Sequence, residues 1–331
     1  MKVLITGIAG FIGFHTACRL AAEGCAVVGV DSLNPYYPIA LKTARLDRLP
    51  PGVRFVRMDV ADDAAFRALV RTEAPDLVLH LAAQAGVRRS LDDPFAYAQA
   101  NLLGHLSVLE ACRHAPVPPR LVYASSSSVY GGREDGPFRE TDAVDAPISL
   151  YAATKRSDEL MSSAYAHLYG LSQIGLRFFT VYGDWGRPDM AYWLFTERML
   201  RREPITVFNN GESVRDFTHI DDVTEAIWRV VSQPPRGPVG GHRLYNLGNT
   251  KPTPLMRMIA VLEDAVGHPA IKQMAPIQPG DVPVTHADVS ALVRDYGFQP
   301  QVTIDEGLPR FVGWFRDHGH LGSAPVHANS A

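Results

Sequence analysis

Two residues four apart, Tyr151 and Lys155 in Tyr151-Ala152-Ala153-Thr154-Lys155, are able in principle to move a proton. At positions i and i+4 of a helix their side chains share a face. A free phenol titrates near 10 and is a poor base at neutral pH. A neighbouring ammonium stabilises the phenolate, and bringing it near neutrality needs about 4 kcal/mol of differential stabilisation. A run of four hydroxyls, Ser125-Ser126-Ser127-Ser128, lies upstream, with Ser126 placed 25 residues before Tyr151. It follows the apolar stretch Arg120–Ala124 and precedes Val129-Tyr130-Gly131, so it reads as a site at a strand end rather than a plain loop.

A third signal opens the chain: Thr6-Gly7-Ile8-Ala9-Gly10-Phe11-Ile12-Gly13, after a buried strand and before a helix. Gly7 allows a tight turn, Gly10 lets backbone approach a pyrophosphate, and Gly13 lets helix and strand pack closely. The amides of the helix start, around Phe11, Ile12 and Gly13, then face the phosphates with a partial positive charge. Asp31 ends the next strand, 18 residues beyond Gly13, where a carboxylate accepts from both ribose hydroxyls and repels a 2′-phosphate. Ser32, not Arg, follows it, so the cofactor is expected to be NAD. Asp59 and Val60 end the third strand, where an adenine ring would lie; Leu81, Ala82 and Ala83 end the fourth with small residues. Asn101 is a helix residue placed to bond the nicotinamide side, and Ser125 borders the same cleft.

Strand and helix signals must position these groups, and they alternate through the first half: strands at 1–6, 26–30, 54–58, 77–81, 120–124 and 173–178, helices at 15–23, 66–72, 96–111 and 151–169. Strands apolar on both faces between amphipathic helices imply a doubly wound parallel sheet, a Rossmann-type α/β fold, with ligands at the carboxyl ends of its strands. After Tyr182 glycine and proline become frequent, and helices recur at 191–201, 222–231, 254–266 and 304–316. The expected organisation is a cofactor domain of 1–182 plus about 216–250, a smaller α/β substrate lobe of about 183–215 plus 251–317, and a disordered tail of 318–331.

The 331 residues carry a net charge of -3, which gives no electrostatic case for nucleic acid or an anionic membrane. Three cysteines without a CxxC pair point to a reducing, cytoplasmic setting and away from a disulfide framework or zinc knuckle. No apolar run reaches transmembrane length, and the 12 histidines contain no HExxH, so neither a membrane nor a metal is expected.

Together TGIAGFIG, Asp31, HLAAQ, ASSSSVYG, YAATK, RFFTVYG and VRDFTHIDD resemble the extended short-chain dehydrogenase/reductase superfamily in its sugar-nucleotide-modifying branch, over about residues 1–317. Asn34-Pro35-Tyr36-Tyr37, QAGVRRS at 84–90 and GLRFFTVYGDWGRPDM at 175–190 are similar to the UDP-glucuronate 4-epimerase family. Two positions depart from that pattern: Asp184 stands where the family usually has Pro, and Arg89 where an aromatic residue is common.

The resemblance implies inversion at C4 of UDP-glucuronate through a 4-keto intermediate, with NAD tightly bound. Tyr151 is then the base, Ser126 bonds the same oxygen, and Lys155 holds the phenolate charge. The intermediate is a β-keto acid prone to lose carbon dioxide, so its carboxylate needs polar donors: Ser127, Ser128, Thr180 and Arg187. For UDP the resemblance implies Arg215 on the pyrophosphate, Arg88 as a second phosphate or sugar contact, Val207 and Phe208 beside uracil, and Asp281 on the ribose. It also implies a homodimer formed through the helices at 96–111 and 151–169. A 4,6-dehydratase would need an acid and a base where Ser127 and Ser128 stand, and a non-catalytic NAD sensor would typically lack Tyr151 or Lys155. A UDP-glucuronate decarboxylase shares the first oxidation, but RFFTVYG and GRPDM do not favour it. The nearest rival is a UDP-glucose 4-epimerase.

Overall fold

In a computed structural model, residues 1–234 and 241–322 are described. The chain alternates β1 (Lys2–Thr6), α1 (Phe11–Ala22), β2 (Ala26–Asp31), α2 (Ile39–Leu46), β3 (Arg54–Arg57), α3 (Asp63–Glu73) and β4 (Leu77–His80). Short α4 (Arg89–Asp92) and α5 (Pro94–Tyr97) lead into α6 (Gly104–Arg113), β5 (Arg120–Ser126), α7 (Leu150–Tyr169) and β6 (Gln173–Phe178). Then follow β7 (Thr180–Tyr182), α8 (Ala191–Leu200), β8 (Ile205–Val207), β9 (Val214–His219), α9 (Ile220–Ser232) and β10 (His242–Leu247). The chain continues with β11 (Pro252–Pro254), α10 (Leu255–Val266), β12 (Lys272–Met274), α11 (Ser290–Tyr296) and α12 (Ile304–His318).

Seven strands form one parallel sheet in the order β10-β6-β5-β4-β1-β2-β3. One face packs on α1, α9 and α11 through Leu20, Ile227 and Leu292, the other on α3 and α6 through Phe66 and Leu109. Burial on both faces is why β1, β4 and β6 contain almost no exposed position. This is the doubly wound sheet expected from the alternation. Strand order reverses between β1 and β4, which opens a crevice at their carboxyl ends.

A second core lies among α8, α10 and α12, built on Trp193, Ile259, Phe311 and Phe315. The three-stranded sheet β11-β9-β7 stands beside the main sheet, and β10 then returns as the main sheet's edge. Asp216 fixes this crossing. Its buried carboxylate accepts from the amides of Asn249 (2.6 Å), Thr250 (3.0 Å) and Ala287 (3.0 Å). Three N–H donors satisfy a charge that would otherwise be costly to bury, and they hold β9 in register for Arg215, its neighbour.

Two expectations need correction. The helix expected at 96–111 is interrupted by a π-helical turn over Ala98–Leu103, which turns Asn101 inward. Disorder from His318 onward does not hold for residues 318–322: α12 runs to His318, whose ring stacks on Trp314 with centroids 5.5 Å apart, and a further turn covers Gly319–Leu321. Apolar packing of that turn against Trp193 outweighs its small, polar composition. Residues 323–331 lie outside the described part.

Candidate active site

The glycine-rich loop joins β1 to α1 at the sheet's carboxyl edge. Gly7 adopts φ +76°, and a Cβ there would stand 2.8 Å from the Ala82 nitrogen. A Cβ on Gly13 would stand 2.0 Å from the Gly7 carbonyl oxygen, so only glycine lets α1 begin this close to the strand. Gly10 is the N-cap with no side-chain hydrogen bond, which leaves the amides at Phe11, Ile12 and Gly13 without intrahelical acceptors. The Phe11 side chain goes into the core, so its contribution to a ligand is its backbone. Asp31 is buried at the end of β2, with one carboxylate oxygen on the Ala9 amide (3.1 Å) and the other on Leu33 (2.8 Å). A carboxylate fixed beside a bare helix N-terminus fits a dinucleotide with an unphosphorylated ribose.

Asp59 is exposed after β3 and accepts from the Ala61 amide, while Val60 is buried. Leu81, Ala82 and Ala83 follow β4, and the Thr6 hydroxyl holds them by accepting from the Ala82 amide (3.1 Å). The same hydroxyl lies 2.7 Å from Nδ1 of His80, whose pKa burial lowers to about 3, so the ring is neutral. Asn101 is buried and bonded to protein on both sides of its amide. Its Oδ1 accepts from the Gln84 amide (2.8 Å), and its Nδ2 donates to the Gln84 carbonyl and to Thr154 Oγ1. Through these bonds it ties the β4 loop to α7, with one acceptor site of Oδ1 left over.

Helix α7 starts at Ser149, whose hydroxyl accepts from the Ala152 amide, and this sets Tyr151 in its first turn. Lys155, one turn later, is 2% exposed. Its ammonium donates to the Ala124 carbonyl (3.0 Å) and to Asp158 Oδ2 (3.1 Å), which ties it to β5 just before the serine run. Burial pushes the Asp158 carboxyl up to about 6, against the pull of the Lys155 charge. Ser126 Oγ lies 3.1 Å from Ser128 Oγ, and Ser127–Tyr130 form a single helical turn that brings the hydroxyls to the strand end. The Tyr151 ring meets Tyr97 edge-on at 6.1 Å.

A network under the serines escaped the sequence reading. Arg177, buried in β6, pairs with Glu159 of α7 through Nε–Oε1 (2.8 Å) and Nη2–Oε2 (2.9 Å). Ser125 donates to the same Glu159 Oε1 (2.6 Å), so Ser125 is a buried structural bond in this structure. Arg177 Nη1 also donates to the Tyr130 hydroxyl, which donates to Asn246 Oδ1. The available signal was a lone charged residue, Arg177, in the strand Gln173–Phe178, and Glu159 one turn beyond Lys155.

Arg187 and Asp189 sit before α8 and form a two-bond pair, Nε–Oδ1 3.0 Å and Nη2–Oδ2 2.6 Å. Desolvation opposes the Arg187 charge, but the Asp189 carboxylate outweighs it and holds the guanidinium above its usual range. Tyr36, from the loop after β2, donates to Asp189 Oδ2 (3.0 Å). A Cβ on Gly86, at φ +107°, would stand 2.7 Å from the Tyr36 hydroxyl and 3.7 Å from Arg187 Nη2. The Tyr151 phenol lies within electrostatic reach of Arg187. Thr180, part-buried, opens β7 opposite Phe217.

The expected uridine-diphosphate residues also converge. Arg88 pairs with Asp281 (2.8 Å) and lies over the Phe208 ring at 4.9 Å. Arg215 donates to the Val214 and Pro283 carbonyls, and burial lowers its pKa, with the Asp281 carboxylate pulling the other way. Val207 has its side chain buried in the second core, so its backbone is what it can offer a base, while Phe208 is part-exposed beside Arg88. Of the two departures noted in sequence, Asp184 lies aside from this cluster, while Arg89 adjoins Arg88 and is within electrostatic reach of Tyr36. Asp184 has Arg310, Asp221 and His318 as its charged neighbours, and Arg89 is half-exposed near Asp92.

Residues 3–248 match the model of the NAD dependent epimerase/dehydratase family. A probable UDP-glucuronate 4-epimerase of Rhizobium meliloti is 45% identical, over 95% of this chain and 97% of that one. The Bacillus cereus UDP-glucuronic acid 4-epimerase, crystallised with UDP-glucuronic acid and NAD, superposes with a TM-score of 0.89 at 32% identity, covering 96% and 99% of the two chains. A Thermus thermophilus UDP-glucose 4-epimerase with NAD gives 0.85 at 33%, again covering 96% and 99%.

Proposed function

The chain belongs to the NAD-dependent epimerase/dehydratase family, and from that premise we propose that it is a cytoplasmic enzyme interconverting UDP-glucuronate and UDP-galacturonate. Bound NAD supplies a reversible two-electron oxidation at C4 of the sugar. Tyr151 removes the C4 hydroxyl proton and later returns it. Lys155, anchored on the Ala124 carbonyl, stabilises the phenolate. Ser126 holds the C4 oxygen by a hydrogen bond. Ser127, Ser128, Thr180 and Arg187 hold the carboxylate among polar donors, which disfavours loss of carbon dioxide from the 4-keto intermediate. Arg215 and Arg88 take the pyrophosphate, Phe208 the uracil and Asp281 the ribose; a guanidinium grips a diphosphate through two bonds where an ammonium offers one point charge.

The observation that carries the uronate reading is the Arg187–Asp189 pair, whose guanidinium keeps three N–H groups for a carboxylate within electrostatic reach of the Tyr151 phenol. Arg187→Ala should lower UDP-glucuronate specificity by roughly ten- to a hundredfold, the worth of a lost charge-assisted contact of about 1.5–3 kcal/mol. Any turnover of UDP-glucose should change far less. Nucleotide-sugar chromatography of wild type and variant with both substrates checks this. Equal losses would remove Arg187 from carboxylate recognition, and a wild type that prefers UDP-glucose would leave the neutral-sugar epimerase as the answer.

We further propose a homodimer through the helical segments at 96–111 and 151–169, with α4 and α5 beside them. Leu91 (57%), Phe95 (84%), Leu103 (52%) and Leu160 (54%) are large apolar residues exposed on these elements. Leaving so many on one helical layer is costly unless a second copy covers them. Sedimentation should give a dimer for the wild type and a monomer for Leu160→Glu; a monomeric wild type would refute the assembly.

A further inference from the structure

Arg187 does not present a free charge. Asp189 takes one side of its guanidinium fork through Nε and Nη2, so the pair is neutral as a unit and three N–H groups remain for a ligand. Asp189 is an exposed residue whose Oδ2 accepts a second bond from the Tyr36 hydroxyl, and Gly86, at φ +107°, leaves room for that hydroxyl.

The two loops that carry this arrangement are locked together from below. Arg45, wholly buried on α2, donates to the carbonyls of Trp185 and Gly186 in the Arg187 loop, to the Tyr37 hydroxyl beside Tyr36, and to the Ala9 carbonyl of the glycine-rich loop. A buried guanidinium with its donors spread over three loops fixes their spacing. Arg45 therefore holds the backbone from which Arg187 projects in register with the loop that carries Tyr36.

Its chemical consequence rests on the uronate reading above. Inversion at C4 requires the same tyrosine and cofactor face to meet first one side of C4 and then the other, so the 4-keto sugar must reorient between the two proton transfers. The carboxylate on C5 moves with the ring. A bare arginine would hold that carboxylate in a full ion pair and resist the movement. A guanidinium already neutralised by a carboxylate still offers directional N–H donors but little net attraction.

We infer that Asp189, braced by Tyr36, is a positioning residue that tempers Arg187, so that the uronate is recognised without being locked against reorientation.

The test compares Asp189→Asn and Tyr36→Phe with wild type, using UDP-glucuronate and UDP-glucose. Calorimetric binding in a Tyr151→Phe background avoids turnover. Asp189→Asn should tighten UDP-glucuronate by about tenfold, since one opposing charge is removed. Its kcat on UDP-glucuronate should fall by a similar factor, so KM and kcat drop together. Binding of UDP-glucose, which has no carboxylate, should stay within about twofold. Tyr36→Phe keeps the Asp189 charge and removes only its brace, so it should shift both quantities in the same direction by less. Unchanged or weaker UDP-glucuronate binding in Asp189→Asn, or equal shifts for both sugars, would overturn the inference and leave Asp189 as a structural partner of Arg187. Failure of the uronate reading itself is seen separately, in a wild type that prefers UDP-glucose.

Discussion

Replacing Tyr151 with Phe should reduce turnover by about a hundred- to ten-thousandfold, the range that a positioned general acid–base contributes. The effect should be confined to chemistry. The phenyl ring keeps the edge-on contact with Tyr97, and α7 keeps its Ser149 cap, so the helix stays in place. Lys155 stays tied to Ala124 and Asp158, neither of which depends on the phenol oxygen. The variant should therefore purify with NAD in the same proportion as wild type, measured on nucleotide released by denaturation. Turnover within tenfold of wild type would remove Tyr151 from the base role and turn attention to another proton acceptor at the strand end.

Glu159→Ala should destabilise the fold by about 3–5 kcal/mol, because it strands a buried cation. Arg177 is 1% exposed, and Glu159 supplies both of its ion-pair bonds. The loss is a large part of an ordinary domain stability of about 5–15 kcal/mol. It also releases the Ser125 hydroxyl, which donates to Glu159 next to Ser126, so activity should fall even where folding persists. The double variant Glu159→Leu with Arg177→Met removes the charge together with its partner. It should recover much of the lost stability in urea unfolding, since replacing a whole buried pair by apolar residues is often neutral. A double variant as unstable as Glu159→Ala would mean that the pair's hydrogen bonds to Ser125 and Tyr130, and not the stranded charge, set the cost.

Local patterns carried the reading of the sheet. The β1 run KVLIT is apolar from Val3 to Ile5 on both faces, and the glycines at 7, 10 and 13 have an order that few other turns require. Alternation of such strands with helices is a short-range property, visible without knowing any contact. The π-helical turn at Ala98–Leu103 was not visible in this way. A single inserted residue in a helix leaves no composition mark, and its reason, turning Asn101 toward Gln84 and Thr154, lies in other elements. Packing of the Gly319–Leu321 turn beneath Trp193 was hidden for the same reason.

The sequence by itself determined the chemistry on offer: a phenol and an ammonium on one helix face, a hydroxyl run after a buried strand, a glycine cradle and a carboxylate at the next strand end. Those features are specified within a few residues each, because helix and strand periodicity fix neighbours at short range. Tertiary structure alone decided which distant groups meet. Arg187 pairs with Asp189 two residues on, but Tyr36 joins them from 153 residues away along the chain. Arg88 meets Asp281 across 193 residues. Val207, expected beside the base, has its side chain in the second core, where burial of an apolar group on β8 is favourable. Pairings of this kind depend on how loops from separate elements are brought to one edge of the sheet, and no local period along the chain encodes that distance.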